Sequence, residues 1–114
     1  MNYRILTIDP AARTTRVALF DNEECCLDEV LRHSEAEIAS SDRVWDQYVT
    51  RKEAITGLLA AREVPVRSLS AVAGRGGLLR PLDGGTYEVN PAMLEDLRAG
   101  VQGEHASNLG GLLA

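Results

Sequence analysis

A mixed α/β domain is the fold class the sequence predicts, on three observations. Three β-branched or apolar runs joined by short turns occupy the chain up to Leu31. Asp42 to Arg62 then carries apolar side chains at helical spacing. A further apolar run, Leu69 to Ala73, feeds directly into Gly74-Arg75-Gly76-Gly77. Strands followed by a long helix and another strand define a mixed architecture rather than a bundle or a sandwich.

The first strand is read over Tyr3 to Asp9, with Ile5, Leu6 and Ile8 as its apolar run, and Pro10 is expected to break it. Ala11-Ala12-Arg13 form a turn, and Thr14 to Phe20 resumes as a strand rich in Thr and Val. Asp21-Asn22 supply the next turn. Glu24 to Leu31 is the third strand, with Cys25, Leu27 and Glu29 expected on one face. Short turns between such strands predict an antiparallel meander.

Ser40 or Ser41 is the expected cap of the long helix, with Asp42 at the positive end of its dipole. Val44, Tyr48, Ile55, Leu58 and Leu59 define its buried face, and Pro65 ends it. Beyond the glycine cluster, Pro81 to Asn90 contains Asp83-Gly84-Gly85, a turn signal. Asn90-Pro91 opens a helix through Met93, Leu94 and Leu97 that stops at Gly100. A last helix is expected from near Glu104, with Gly110-Gly111 allowing a close backbone approach. Leu112-Leu113-Ala114 close the chain on apolar side chains, which reads as a cut in mid-helix.

Composition narrows the partners. A chain of 114 residues fits one domain. Aromatics are 4%, so the core must be built from Val, Leu, Ile and Ala. A net charge of -5 argues against nucleic acid and anionic membranes as partners. The opening apolar stretch is too short for a signal peptide or a membrane span, and a cytoplasmic protein is expected. Cys25 and Cys26 are adjacent, closer than disulfide geometry allows, and are read as reduced thiols.

Two places combine special backbone with charge. Asp9 to Arg16 is a tight turn carrying a carboxylate, two hydroxyls and two cations, Arg13 and Arg16. Its N–H groups could form an anion-binding concavity, Thr and Arg could add donors, and Asp9 could reach magnesium directly or through water. The same residues also fit a surface hairpin with charged decoration. The second place is Gly74-Arg75-Gly76-Gly77, at a strand end where ligands gather in α/β proteins. Its arginine could clamp a carboxylate or phosphate, or simply sit exposed on a flexible turn. His105 follows Glu104 at a helix start, and His33 lies at a strand end with no role assigned.

Four stretches together resemble the butyrate kinases, in the acetate kinase group of the superfamily that includes actin and sugar kinases. They are Gly74 to Pro81, Gly84 to Asn90, Ala92 to Leu97, and Gly103 to Gly111. Trp45-Asp46-Gln47-Tyr48 with Arg51-Lys52 resembles the family's helix. The resemblance covers essentially the whole chain. It implies an amino-terminal, incomplete ribonuclease-H-like domain over 1–114, with a five-stranded mixed sheet whose first three strands are antiparallel and helices flanking it.

The resemblance also implies site residues. The family's first loop is similar to Asn-Pro-Gly-Ser-Thr-Ser-Thr-Lys. Here Asp9 takes the Asn position, Ala11 the Gly, Ala12 a Ser, Arg13 a Thr, Thr14 a Ser and Arg16 the Lys, while Pro10 and Thr15 match. Loss of the glycine should stiffen the turn, and Asp9 adds negative charge beside a polyphosphate unless magnesium lies between. Asp9, Thr14, Thr15 and Arg16 are thereby expected to hold the phosphates of ATP, with Asp9 at the magnesium. Arg75 matches the arginine, and His105 the histidine, expected to stabilise the charge that develops during transfer. The implied reaction passes the γ-phosphoryl group of ATP to a short-chain carboxylate, butyrate or a branched analogue. The full-length protein is expected to be a homo-oligomer, and the 114-residue chain alone inactive. The alternative is a truncated, non-catalytic relative that binds phosphate or a partner.

Overall fold

The computed structural model describes residues 2–39, 43–79 and 83–114. The expected helix cap at Ser40, Ser41 and Asp42, and the Arg80-Pro81 end of one family-like stretch, lie outside those residues. Among the described residues four strands, not five, form one sheet: β1 (Arg4–Pro10), β2 (Thr14–Asp21), β3 (Glu24–Arg32) and β4 (Ala71–Gly74), in the order β3-β2-β1-β4. β1 pairs antiparallel with β2, and β2 with β3, while β4 lies parallel to β1. The sheet is therefore open and mixed, and not a pure three-strand antiparallel meander. β3 ends at the same end of the sheet as β1, and the helical connection returns the chain to the other end, the crossover that a strand parallel to β1 requires.

Pro10 does not break β1 as expected; it is paired with Thr15 as the last residue of the strand. Arg4 and Ile8 turn their carbonyls toward the β4 side, accepting from Ser70 and Arg75. By alternation Pro10 faces that side too, but β4 has ended opposite Ile8, so its missing N–H removes no ladder bond. At the β2–β3 hairpin Asn22 adopts φ 55, a left-handed conformation that Asn tolerates, and its side chain accepts from the N–H of Tyr3. The β3 ladder slips between Leu19 and Phe20: Leu19 faces Leu27, but Phe20 faces Cys25. Cys26 is the extra residue of this bulge. Cys25 is consequently turned off the Leu27 face, and both thiols are free and exposed.

A short helix, α1 (Glu35–Ala39), follows β3. Ser34 accepts from the N–H of Glu37, whose carboxylate accepts from the N–H of Ser34, a reciprocal cap. The long helix is shorter than expected: Val44–Gln47 is a 3-10 turn, and α2 runs from Tyr48 to Ala61. Glu63 at φ 57 turns the chain out of it two residues before Pro65. Asn90 caps α3 (Pro91–Ala99), accepting from the N–H of Met93 at 2.9 Å, and Gly100 ends it at φ 69. A 3-10 turn at Ala106–Asn108 leads into α4 (Leu109–Leu113).

One core unites sheet and helix. Leu6 and Ile8 of β1, Val17 and Leu19 of β2 and Leu27 of β3 pack against Ile55 and Leu59 of α2. The 3.6-residue period of α2 places Arg51, Ile55 and Leu59 on one stripe, and all three are buried. That stripe puts a guanidinium inside the protein, directly beneath the β1–β2 turn.

Candidate functional site

β1 and β4 run parallel, and their carboxyl ends lie side by side. Asp9 is the last residue but one of β1, and Arg75 directly follows β4. The N–H of Arg75 donates to the carbonyl of Ile8 at 2.9 Å, which continues the ladder one residue past β4. Its guanidinium stays exposed and meets the Asp9 carboxylate loosely, at 3.4 and 3.5 Å. Contacts this long leave the cation available to another anion.

The glycines around Arg75 are required by close packing on the chain that follows His105. A Cβ on Gly74 would fall 2.0 Å from the carbonyl oxygen of Gly110, and one on Gly110 would fall 2.0 Å from the carbonyl oxygen of Arg75. A Cβ on Gly77 would strike Asn108. Asn108 is fully buried; its Oδ1 accepts from the N–H of Leu78 at 2.7 Å, and its Nδ2 donates to the carbonyl of Gly103 at 2.9 Å. One amide side chain thus ties the loop after Arg75 to the loop before His105. The segments bearing the two predicted groups are held against each other.

His105 is exposed. Its Nδ1 accepts from the N–H of Ser107 at 3.1 Å and lies 2.7 Å from the hydroxyl of that residue. An Nδ1 that accepts a backbone N–H carries the lone pair, so the neutral ring bears its proton on Nε2 and presents it as a donor.

The β1–β2 turn is fastened from below. Arg51 Nη2 donates to the carbonyls of Ala11 at 2.7 Å and Ala12 at 3.2 Å, and Nη1 to the carbonyl of Thr14 at 2.9 Å. The carbonyl of Arg13 accepts from the N–H of His33. Gln47, one helical turn before Arg51, accepts from its Nε and Nη2. Burial lowers the pKa of Arg51 but leaves so strong a base charged. No turn residue is left-handed, since the described non-glycine residues with positive φ are Asn22 and Glu63. Alanine in place of glycine at position 11 is therefore accommodated without backbone strain.

Thr15, expected among the phosphate-holding residues, is fully buried, and its hydroxyl is committed to Arg51 at 3.1 Å and to Nε2 of His33 at 2.8 Å. Thr14 contributes its carbonyl to Arg51. Arg16 pairs across the ladder with Asp9, and paired residues share a face of the sheet. Its guanidinium forms a two-pronged pair with Asp28, at 2.9 and 2.6 Å. The hydrogen bond from Arg16 lowers the Asp28 pKa, and the reciprocal bond raises that of Arg16. Among the described residues no group of three His, Cys, Asp or Glu side chains converges on a metal position. Asp9 alone could serve magnesium, which characteristically takes one or two carboxylates and completes its shell with phosphates and water.

Sequence reasoning missed Arg51, His33 and Asn108. The first was legible: Gln47, Arg51, Ile55 and Leu59 recur at four-residue intervals, which puts an arginine on the apolar stripe. No comparable signal marks Asn108, whose partners lie 30 and 5 residues away.

Fold and site together define an open-sheet α/β protein with an exposed arginine and a tight turn at the carboxyl edge of two parallel strands, the position where such folds bind ligands. Comparison with known proteins is specific about relatives. The chain is similar over all 114 residues to butyrate kinase 2 of Clostridium acetobutylicum, at 48% identity. It is equally similar in extent to probable butyrate kinases of two Clostridium botulinum strains, Eklund 17B and Alaska E43, at 46% identity each. The chain spans 32% of the length of each of these relatives. No protein-family model matches it. The resemblance read from the motifs is thus shown across the whole chain. Among the described residues, no helix is long and apolar enough to cross a membrane.

Proposed function

We propose that this chain is the phosphate- and carboxylate-handling part of a kinase that transfers the γ-phosphoryl group of ATP to butyrate or a branched analogue, giving an acyl phosphate and ADP. The observation that carries the reading is the pairing of whole-chain similarity to butyrate kinases with the site geometry: the Arg75 loop braced by the His105 segment, beside the turn that follows Asp9. The mixed sheet, antiparallel through β3 and parallel at β4, also supports a ribonuclease-H-like domain.

In this reading Arg75 faces the carboxylate and the charge that builds on the transferred phosphoryl group, and the Nε2–H of His105 donates to an oxygen of that group. Phosphoryl transfer depends mainly on positioning and charge stabilisation, which these two groups supply. Arg16 and the outward N–H groups of the β1–β2 turn steady the nucleotide phosphates. Magnesium bound with the nucleotide would offset phosphate charge beside Asp9. Thr15 acts from inside, through the turn, not on the ligand.

The test is a chimera in which this chain replaces the matching third of butyrate kinase 2 of Clostridium acetobutylicum. With ATP, magnesium, butyrate and hydroxylamine, acyl hydroxamate should accumulate. The 114-residue chain alone should give none. A folded chimera that binds ATP yet makes no hydroxamate would overturn the kinase reading and favour a phosphate-binding, non-catalytic relative.

A further inference from the structure

We infer that Arg51 is a positioning residue: its buried guanidinium turns the carbonyls of the β1–β2 turn inward so that the N–H groups of Ala12 and Arg13 face solvent as anion donors. This rests on the phosphate role proposed above for that turn. Arg51 never meets a ligand, for it is 0% exposed. It binds the carbonyls of Ala11, Ala12 and Thr14, while that of Arg13 is held by the N–H of His33. Four successive carbonyls are thus fixed from the protein side.

Peptide planarity does the rest. In a trans peptide the C=O of one residue and the N–H of the next point in opposite directions. Fixing the carbonyls of Ala11 and Ala12 on Arg51 therefore drives the N–H groups of Ala12 and Arg13 away from it. Among the described residues neither N–H has a partner, and both residues are exposed. Adjacent outward N–H groups form the concavity that binds anions. The guanidinium suits this task because its flat fork serves three carbonyls at once; a lysine ammonium is a single point with three donors and cannot span them. Gln47 fixes the plane of the fork through two of its nitrogens, at 3.1 and 2.8 Å. Among the described residues this buried cation has no carboxylate partner and is balanced by carbonyl dipoles.

The experiment is an NMR titration of the 15N-labelled protein with inorganic pyrophosphate, at a temperature where each variant is fully folded. In the wild type the amide signals of Ala12 and Arg13 should shift as pyrophosphate is added. Arg51→Lys, with core signals such as those of Leu19 and Ile55 unchanged, should bind about tenfold or more weakly, the equivalent of one charge-assisted hydrogen bond. A purely structural role would lower stability but leave the affinity of the folded molecules unaltered. Should Arg51→Lys not fold, Gln47→Met decides: it leaves the guanidinium in place but frees its plane, and should weaken binding in the same direction. Undiminished affinity in the folded lysine variant, or in Gln47→Met if that variant must decide, overturns the inference about Arg51. Absence of any response at Ala12 and Arg13 in the wild type overturns instead the phosphate role of the turn itself.

Discussion

The hydroxyl of Thr15 lies 2.8 Å from Nε2 of His33, and the direction of that bond is set by a third residue. Arg51 donates to the same hydroxyl at 3.1 Å. A guanidinium cannot accept, so the hydroxyl accepts from Arg51; among the described residues its own proton has no acceptor other than Nε2 of His33, so the bond that satisfies the buried hydroxyl runs from Thr15 to a lone pair on Nε2. A buried chain of donors thus runs from α2 through β2 to the residue that follows β3.

Thr15→Val keeps the shape but removes the relay. His33 and one N–H of Arg51 lose their partner together. The expected cost is about 1–3 kcal/mol, the range for stranding buried polar groups. Urea unfolding checks it, and a value near zero would mean that water replaces the hydroxyl.

The same chain makes a prediction about pH. Burial, and secondarily the Arg51 charge, lower the pKa of His33. In the unfolded chain His33 titrates near its ordinary value of about 6.5. Below that pH the unfolded state binds the additional proton, so stability is full above about 6.5 and is lost as pH falls toward the lowered folded value. Carboxylates add their own slope in acid, so the quantity to measure is the difference between wild type and His33→Gln. That difference should shrink as pH drops from about 7.5 to about 5; a constant difference would contradict a buried neutral imidazole.

Glycine substitutions should divide by place. Gly110→Ala sets a methyl against the carbonyl of Arg75, and overpacking of this kind costs about 1–3 kcal/mol. Gly57 lies in α2 with nothing within 4 Å of an added Cβ, so Gly57→Ala should stabilise by about 0.5–1 kcal/mol. Thermal unfolding of the two variants gives both signs. Equal shifts would argue against the close passage of residues 74–75 past 110.

Asn108→Ala removes the amide that joins the N–H of Leu78 to the carbonyl of Gly103. Destabilisation of about 1–3 kcal/mol is expected, toward the lower end because the two groups left unpaired are only partly buried. Hydrogen exchange at the Leu78 amide should accelerate more than exchange in β2. Uniform acceleration across the sheet would show that Asn108 supports the whole fold and not this junction.

Arg75→Ala, made in the chimera, should lower kcat by about two to three powers of ten if the guanidinium meets charge in the transition state. A change confined to the KM for ATP would assign Arg75 to nucleotide binding instead.

Sequence alone determined the four strands, the helices α2 and α3, the mixed class and the family resemblance, though not α1 or the 3-10 turn at Val44–Gln47. Each feature so determined rests on local pattern: alternating β-branched runs, a helical stripe, Asn90-Pro91 before α3 and Gly100 after it. Local pattern also contained the Ser34–Glu37 cap and the buried position of Arg51, although neither was drawn from it. Tertiary structure alone decided what those residues do. The parallel placement of β4 brought Asp9 to Arg75 across 66 positions of chain. The bulge at Cys26 turned Cys25 away from the core side, and the end of β4 opposite Ile8 made Pro10 harmless in a strand. Thr15 passed from expected ligand contact to internal relay because α2 lies beneath the turn. Each of these depends on which backbone groups meet across the sheet, and separations along the chain do not encode that geometry.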